Sequence, residues 1–291
     1  MTYTLLIGQR LYSSWSLRGW LAFEAFDIAC RVETVEIYSD GFADRVAGFA
    51  GGPGVPAALT PQGGRLTDSL AIAWHLAEAF PERDLLPRDP IPRAMAQSMI
   101  AEMHSGFAAL RRTCPMDLSR AWIGFAPDAD VRADLDRIET LWPRALDLSG
   151  GPFLFGDYTL ADAFFAPVAA RIAGFGIEMS PVSQSLVSAH LNHGAFRRWR
   201  ALGMAENRRL SVYDQPFEAG PFPAPDPIPA RVVAKGPSVN AACPYSGRPV
   251  KHFLEIGGRV WGFCNPLCRD KTLADPAAWP AFARMAGLET G

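Results

Sequence analysis

The chain has 291 residues, a formal net charge of −2 and 49% hydrophobic residues. A balance this close to neutral excludes the strong basic field of a nucleic-acid or anionic-membrane binder. The length predicts two or three domains, because single hydrophobic cores rarely grow beyond about 250 residues. The sequence shows neither a signal-peptide pattern nor an apolar run of membrane-spanning length. We therefore expect a cytoplasmic protein with no membrane or nucleic-acid partner.

Residues 1–83 alternate strand-like and helix-like segments. The apolar run YTLLI predicts a buried strand, and apolar residues at helical spacing follow it from residue 15 to 27. RVETVEIY, VPAALT and GRLT predict three further strands, and Asp68 is predicted to cap a helix through SLAIAWHLAEAF. This order predicts a small mixed sheet with helices packed on it, which is an α/β domain.

The turn between the first strand and the first helix holds Ser13, Ser14 and Ser16. A serine in this position has two alternative roles: it caps the helix, or it donates to an anion at the positive helix end. A thiolate is such an anion. A thiol with a pKa near 8.5 is only about 3% ionised at pH 7, and a hydroxyl together with helix N–H groups raises that fraction.

Two later features of this region are typical of a site for a peptide-like ligand. Val55 precedes Pro56, where a cis bond would leave the Val55 backbone free to pair; the alternative is an ordinary edge-strand proline. Asp68 and Ser69 begin a predicted helix, where they either hold a carboxylate or act as simple caps.

The pattern from residue 89 to 210 is helical throughout. Apolar residues from Met95 to Leu110 keep one face apolar, which predicts a long amphipathic helix. A later helix begins in YTLADAFFAPVAARI, where Thr159 and Asp162 have the spacing of a capping box. We therefore predict an all-α domain after the α/β domain.

The last part of the chain has a different composition. Residues 211–242 are proline-rich and predict an extended linker. Residues 243–291 predict a small α+β unit, because Gly257-Gly258 separates two strand-like runs and Asn265 is placed to cap a short helix.

Three of the five cysteines lie in this last unit, at Cys243, Cys264 and Cys268. An odd number of cysteines in a reducing compartment argues against a disulfide framework. A hairpin and a helix start would bring these thiols together, which predicts a soft-metal site, most simply for zinc. The alternative is three reduced thiols that pack without metal.

This tail also resembles the small YHS/TRASH-type metal-binding modules through the run GGRVWGFCNPLC. The resemblance implies the same three cysteines as ligands and leaves the fourth ligand open, because Ser246 stands where such modules often have cysteine. His252 is predicted to pair with Phe263 across the hairpin and so to face away from Cys264.

The first 210 residues resemble the cytosolic glutathione transferases, and the serine-type, zeta-like branch in particular. The resemblance rests on YSSWSLRGWLAF, GVPAAL, DSLAIAWHLAE and GDYTLADAFFAPVAARI. It implies a thioredoxin-like domain over residues 1–83 that binds glutathione and an all-helical domain over residues 89–210 that supplies much of the second-substrate pocket. It also implies a homodimer.

The resemblance assigns the serine turn to catalysis. Ser13 would donate to the glutathione sulfur, with Ser14 supporting the turn and Tyr12 as the alternative donor. Zeta-class enzymes carry a cysteine where this chain has Trp15, so the departure bears on an isomerase reaction more than on glutathione binding.

The remaining glutathione contacts follow from the same resemblance. Val55 would bind the cysteinyl part through its main chain, and cis-Pro56 would shape that loop. Asp68 and Ser69 would hold the γ-glutamyl end.

His104 and Arg111 lie on the helix that borders the cleft in this family, and they would contact the second substrate; a solvated helix face is the alternative. The predicted function is a glutathione transferase that activates the thiol for addition to, or isomerisation of, an electrophilic small molecule. The alternative is a non-catalytic scaffold of this fold whose cysteine tail binds a metal or a partner.

Overall fold

The computed structural model describes residues 2–288, which form two compact units. The first unit contains the chain up to Leu191 together with residues 210–223. The second contains Asn192–Arg209 and the chain from Ala224 onward. Over the described residues, no helix combines the length and the apolar character that crossing a membrane requires.

The first unit begins with a four-stranded mixed sheet and three helices. The strands, in the order β2-β1-β3-β4, are β1 (Tyr3–Ile7), β2 (Cys30–Thr34), β3 (Ala57–Leu59) and β4 (Arg65–Leu66). The helices are α1 (Ser14–Glu24), α2 (Phe42–Ala50) and α3 (Ser69–Ala79). Because β1 lies inside the sheet, parallel to β2 and antiparallel to β3, all of its residues are buried. This is the α/β arrangement that the sequence predicts.

A helical region follows in the same unit. Its helices are α4 (Pro90–Ser105), α5 (Ala108–Thr113), α6 (Ala129–Ser149), α7 (Leu160–Gly174) and α8 (Pro181–Asn192). The predicted capping box is present at the start of α7, where the Asp162 carboxylate accepts the Thr159 N–H at 2.9 Å. Since α7 is apolar on nearly every side, it lies buried against α1 and α4.

The long helix predicted from Met95 to Leu110 is interrupted after α4. Phe107 has a φ of 54°, a left-handed conformation that ends the helix. Gly106 precedes it, and a Cβ at Gly106 would lie 2.7 Å from the Glu102 carbonyl oxygen. The apolar pattern continues across the break, because Phe107 and Leu110 are both buried after the turn.

The part of the proline-rich segment that belongs to the first unit has its own structure. Strand β5 (Arg120–Ile123) pairs antiparallel with β6 (Glu218–Pro221). Just before β6, residues Ser211–Tyr213 form one turn of 3₁₀-helix.

The second unit is built on a three-stranded antiparallel sheet in the order β7-β8-β9. Its elements are α9 (Gly194–Glu206), β7 (Ala230–Val233), β8 (His252–Ile256), β9 (Arg259–Phe263), α10 (Pro266–Ala274) and α11 (Pro280–Ala286). Trp261, Phe263 and Phe282 form its core with Ala201 of α9. The predicted Gly257-Gly258 turn joins β8 to β9, and Asn265 caps α10 by accepting the Cys268 N–H at 2.8 Å.

Two parts of the chain group differently from the boundaries inferred from the sequence. Helix α9 lies within the predicted helical domain of residues 89–210, yet it packs along α10 in the second unit. The predicted linker of residues 211–242 contributes a strand to each unit, because β6 pairs with β5 and β7 pairs with β8. Prolines at the ends of these strands hid this pairing in the sequence. The domain boundaries themselves stay a prediction.

Candidate functional site

A cleft of about 850 Å³ opens in the first unit between the turn after β1, helix α5 and the segment before β6. Four of the predicted site residues line it: Ser13, Ser14, Val55 and Arg111. Four others do not: Pro56, Asp68, Ser69 and His104. The structure thus brings the serine turn, Val55 and Arg111, a predicted contact of the second substrate, to one cavity.

Ser13 is the N-cap of α1 and is buried. Its hydroxyl donates to Ser16 Oγ at 2.7 Å, and its oxygen accepts the Ser16 N–H at 3.3 Å. Ser16 Oγ also accepts the Gly8 N–H at 3.0 Å, which ties the end of β1 to the start of α1. The hydroxyl of Ser13 is therefore engaged in the capping network.

Ser14 has different partners. Its oxygen accepts a hydrogen bond from Arg171 Nη2 of α7 at 3.1 Å, across 157 positions of sequence. The Arg171 side chain lines the cleft, although the residue is only 5% exposed. The sequence reasoning missed Arg171. Its signal was a lone arginine inside the apolar run of α7, which requires a specific set of polar partners.

Tyr12, the alternative donor, lies against the segment before β6. Its hydroxyl oxygen accepts the Leu210 N–H at 3.2 Å, and its ring centroid lies 4.7 Å from that of Tyr213. Burial is the main cause that raises the pKa of Tyr12 above its usual range. Tyr213, a further lining residue, was also missed, because it stands in the segment interpreted as a linker.

Trp15 is covered by two guanidinium groups. Their carbons lie 3.8 Å (Arg18) and 4.5 Å (Arg111) from the Trp15 ring centroid, and the His104 ring meets it edge-on at 5.3 Å. Burial, with the nearby charges of Arg111 and Arg171, lowers the pKa of Arg18. The region around the turn is thus strongly cationic.

Asp68 and Ser69 lie at the start of α3, as the sequence predicts. Asp68 Oδ1 accepts the backbone N–H two residues on at 2.7 Å, and His104 Nε2 lies 3.7 Å from the same oxygen. Burial and two neighbouring arginines hold the pKa of His104 below its usual range, although Asp68 opposes them. Ser69 is fully buried, and within residues 2–288 its Oγ has no hydrogen-bond partner. The Val55–Pro56 peptide bond is cis.

The three tail cysteines meet in the second unit. The sulfurs of Cys243, Cys264 and Cys268 lie within 4.8 Å of one another, and the last two are 3.9 Å apart. Zinc bound tetrahedrally by thiolates, with Zn–S bonds of about 2.3 Å, spaces its sulfurs by about 3.8 Å. The donor set therefore fits a thiophilic metal ion, with three protein ligands among the described residues.

The surroundings of these sulfurs are polar on one side. Burial opposes ionisation of Cys243, but hydrogen bonds from the N–H groups of Tyr245 and Cys264 and from Ser246 lower its pKa to about 7. Ser246 Oγ also donates to Cys264 Sγ at 3.2 Å. His252 pairs with Phe263 across the hairpin, as the turn register predicts, and no histidine of residues 2–288 joins the sulfur cluster.

Comparisons with known proteins agree with this fold. Residues 12–79 match the family model described as "Glutathione S-transferase, N-terminal domain". A curated relative, glutathione S-transferase 1 of Dianthus caryophyllus, is 31% identical over 141 residues, which cover 45% of this chain and 62% of the relative. A probable maleylacetoacetate isomerase of Caenorhabditis elegans is 27% identical over 169 residues, covering 58% of this chain and 78% of the relative. This chain thus spans less than two thirds of the Dianthus protein's length.

Solved structures show the same architecture. A glutathione transferase homologue from Burkholderia with bound glutathione has a TM-score of 0.54 and 20% identity, covering 70% of this chain and 98% of its own. A Tau class glutathione S-transferase from mango has a TM-score of 0.53 and 15% identity, covering 68% and 92%. The chain therefore has the thioredoxin-like and helical fold of the glutathione transferases.

Proposed function

We propose that this cytoplasmic protein is a serine-type, zeta-like glutathione transferase that ionises the glutathione thiol at the turn after β1 and adds it to an electrophilic small molecule. The observation that carries the proposal is that Ser13 and Ser14 lie at the N-terminus of α1 and line the cleft together with Val55. A helix N-terminus with hydroxyl donors stabilises an anion there. The sequence favours Ser13 as the donor and leaves Ser14 and Tyr12 as alternatives.

The rest of the site fits glutathione. The Ser69 hydroxyl, which is buried and finds no hydrogen-bond partner in the described part of the chain, and the Asp68 carboxylate at the start of α3 suit the charged γ-glutamyl end. Val55, next to the cis peptide bond, offers its main chain to the cysteinyl part. Holding the tripeptide in this way would position its sulfur at the serine turn, which supplies the proximity that thiol addition needs.

The test of this site is glutathione binding by the double variant Asp68→Ala/Ser69→Ala, measured by calorimetry. We expect loss of binding with the fold retained, as judged by circular dichroism. The matched control is Asp136→Ala/Ser185→Ala, which changes an exposed aspartate and an exposed serine on other helices and should bind normally. Unchanged binding in the first variant would refute the assignment.

The reaction with the second substrate is proposed as addition to an electrophile, with Arg111 at the cleft wall and His104 beside Trp15. An isomerisation is the alternative, suggested by the Caenorhabditis relative. Trp15 favours addition, because it stands where the zeta-class enzymes carry a cysteine. Turnover of a chloronitrobenzene but not of a cis-configured unsaturated diketo acid would support addition, and the reverse result would support the isomerase.

Light scattering tests the homodimer that the family resemblance implies.

A second candidate function belongs to the tail, which we propose as a YHS/TRASH-like metal-binding module. The 3.9 Å separation of Cys264 Sγ and Cys268 Sγ and the nearby Cys243 Sγ favour zinc held by three thiolates. Cobalt(II) added to the full chain should give thiolate charge-transfer bands that Cys264→Ser abolishes. Cys30→Ser, which removes a cysteine of the first unit, should leave the bands unchanged. Metal binding without any glutathione binding would favour the scaffold alternative.

A further inference from the structure

The two serines of the turn differ in what their hydroxyl protons do. The Ser13 proton is donated to Ser16 Oγ at 2.7 Å, inside the network that caps α1. The Ser14 oxygen instead accepts from Arg171 Nη2 at 3.1 Å, and within residues 2–288 the Ser14 hydroxyl donates to no acceptor. Ser14 is also less buried than Ser13 and lines the same cleft. Its proton is therefore available to a ligand in the cleft.

Arg171 makes this hydroxyl a stronger donor. An oxygen that accepts a hydrogen bond from a cation carries a more acidic proton, because charge-assisted hydrogen bonds polarise their neighbours. The guanidinium is fixed in place: Nε donates to the Cys114 carbonyl at 2.9 Å and Nη1 to the Pro167 carbonyl at 3.1 Å. Its third hydrogen bond goes to Ser14, so the guanidinium of Arg171 directs its positive charge at the serine turn.

No anion of the described chain balances this charge. All three acceptors of Arg171 are neutral oxygens, and no carboxylate of residues 2–288 lies within ion-pair distance of it. The ionisable groups that face it are Arg111, Cys114 and Tyr213. Burial raises the pKa of Cys114 to about 12 and raises that of Tyr213 too, so both stay neutral at pH 7, while Arg111 repels Arg171. A buried cation without a counter-charge is costly, and an anion in the cleft would relieve that cost.

We propose that the hydroxyl of Ser14, polarised by Arg171, donates the hydrogen bond that stabilises the glutathione thiolate, while Ser13 caps α1. Ser14 is then the catalytic residue and Arg171 a positioning residue. The thiol proton leaves to solvent, and the sulfur keeps its electron pair and accepts the Ser14 O–H. No bond of the protein is made or broken. This inference rests on the proposed glutathione transferase function.

The competing donors are less well placed. The Tyr12 oxygen is already bonded to the Leu210 N–H, and burial raises its pKa, which weakens it as an acid. Arg111 Nη1 donates to the carbonyls of His104 and Gly106 at 3.2 and 3.3 Å, so this nitrogen is committed to the end of α4. Arg111 therefore adds to the positive electrostatic potential of the cleft, but its Nη1 is not the hydrogen-bond donor to the glutathione sulfur.

The experiment is a pH titration of the thiolate absorbance of glutathione bound to the full chain. Ser14→Ala should raise the pKa of the bound thiol by about 1 to 2, which increases the ratio of thiol to thiolate at a given pH about 10- to 100-fold. Ser14→Thr, which keeps the hydroxyl, should restore the wild-type value. Arg171→Lys should raise the thiol pKa while glutathione affinity changes little at low pH, where the thiol is neutral in every variant. Ser13→Ala should lower the melting temperature and leave the thiol pKa unchanged.

Arg132→Gln, an exposed arginine outside the cleft, is the matched control for Arg171 and should titrate as wild type. If Arg171→Lys does not fold, the thiol pKa values of Ser14→Ala and Ser14→Thr still show whether the Ser14 hydroxyl is the donor. A thiol pKa that rises in Ser13→Ala and not in Ser14→Ala would overturn the inference and leave the proposed function standing. Absence of glutathione binding by the wild type would refute the proposed function and this inference with it.

Discussion

Arg111 is held at the cleft by the contacts of its guanidinium group. Its guanidinium lies over the Trp15 ring at 4.5 Å and donates to two carbonyls at the end of α4. A cation over tryptophan contributes about 0.5–2 kcal/mol, more when water is excluded. No acidic side chain stands among the residues of 2–288 that line the cleft, so none of its described walls offers Arg111 a carboxylate. A second substrate with a carboxylate would gain from this position.

We predict that Arg111→Gln raises the KM for a carboxylate-bearing electrophile by about 10- to 100-fold, the loss of one charge-assisted hydrogen bond. The KM for a neutral chloronitrobenzene should change little. Initial-rate kinetics at saturating glutathione measure both. Arg132→Gln serves as the control on an exposed arginine. An equal loss with both electrophiles would mean that Arg111 supports the helix break and does not contact the substrate.

At the scale of single residues, the sequence predicts a site residue only where its signal lies in adjacent positions of the chain. Asp68, Ser69 and the serine turn are recognisable because a cap and its helix are adjacent in the chain. The different hydrogen-bond partners of Ser13 and Ser14 are not, because Ser14 accepts from Arg171, which reaches the turn from α7. No spacing rule connects residues 157 positions apart.

Among the elements, the break between α4 and α5 sets the direction of Arg111. The chain reverses at Gly106 and Phe107, and the Arg111 side chain then bonds back to the end of α4. The apolar periodicity did not reveal this break, because the buried positions resume in phase after it. Gly106 was a local sign in the sequence, because glycine is common where helices end.

We predict that Gly106→Ala lowers the free energy of unfolding by about 1–3 kcal/mol, because the new Cβ would meet a backbone oxygen that cannot move aside. Gly48→Ala is the matched control: Gly48 lies in α2, where a Cβ meets nothing within 4 Å. That change should stabilise the protein by about 0.5–1 kcal/mol. Urea unfolding at pH 7 measures both, and equal effects would remove the steric argument.

Glu139 of α6 joins that helix to the start of α8. It accepts hydrogen bonds from the Ser180 N–H, the Ser180 hydroxyl and the Ser183 hydroxyl at 2.6, 2.7 and 2.6 Å. Burial opposes ionisation of this carboxyl, but the three hydrogen bonds outweigh it and hold the pKa of Glu139 below its usual range. The folded state thus binds the proton less readily than the unfolded chain. Its stabilising effect is present above pH of about 4.3 and is lost as the pH falls through the folded-state pKa.

We predict that Glu139→Gln lowers the free energy of unfolding by about 1–2 kcal/mol at pH 7. The difference from wild type should shrink below pH of about 4, where the wild-type carboxyl becomes protonated as well. Urea unfolding of both proteins at pH 7 and at a pH below about 4 measures this difference. Glu178→Gln, at an exposed position nearby in sequence, should have no such effect. A difference that is the same at both pH values would show that charge plays no part.

At the scale of the whole molecule, the second unit contains helix α9, which the sequence analysis assigns to the helical domain of residues 89–210. Helix α9 packs along α10, and its Ala201 belongs to the core formed with Trp261 and Phe282. Arg197 of α9 forms a two-bond ion pair with Asp275, at 2.8 Å for each bond, and both residues are buried. The amphipathic pattern of α9 predicts a buried face but not its partner. The fold class was therefore predictable from the sequence, whereas this grouping was not.

We predict that Asp275→Asn destabilises the second unit by about 3–5 kcal/mol, because it leaves the Arg197 guanidinium buried without its counter-charge. Hydrogen exchange measured by mass spectrometry should then show faster exchange in residues 194–206 together with residues 252–286, while α7 keeps its protection. Asp226→Asn, an exposed aspartate of the same unit, is the control and should exchange as wild type. If residues 194–206 kept their protection in Asp275→Asn while the tail opened, α9 would belong with the helical region in folding, and the boundary near residue 210 inferred from the sequence would be the better description.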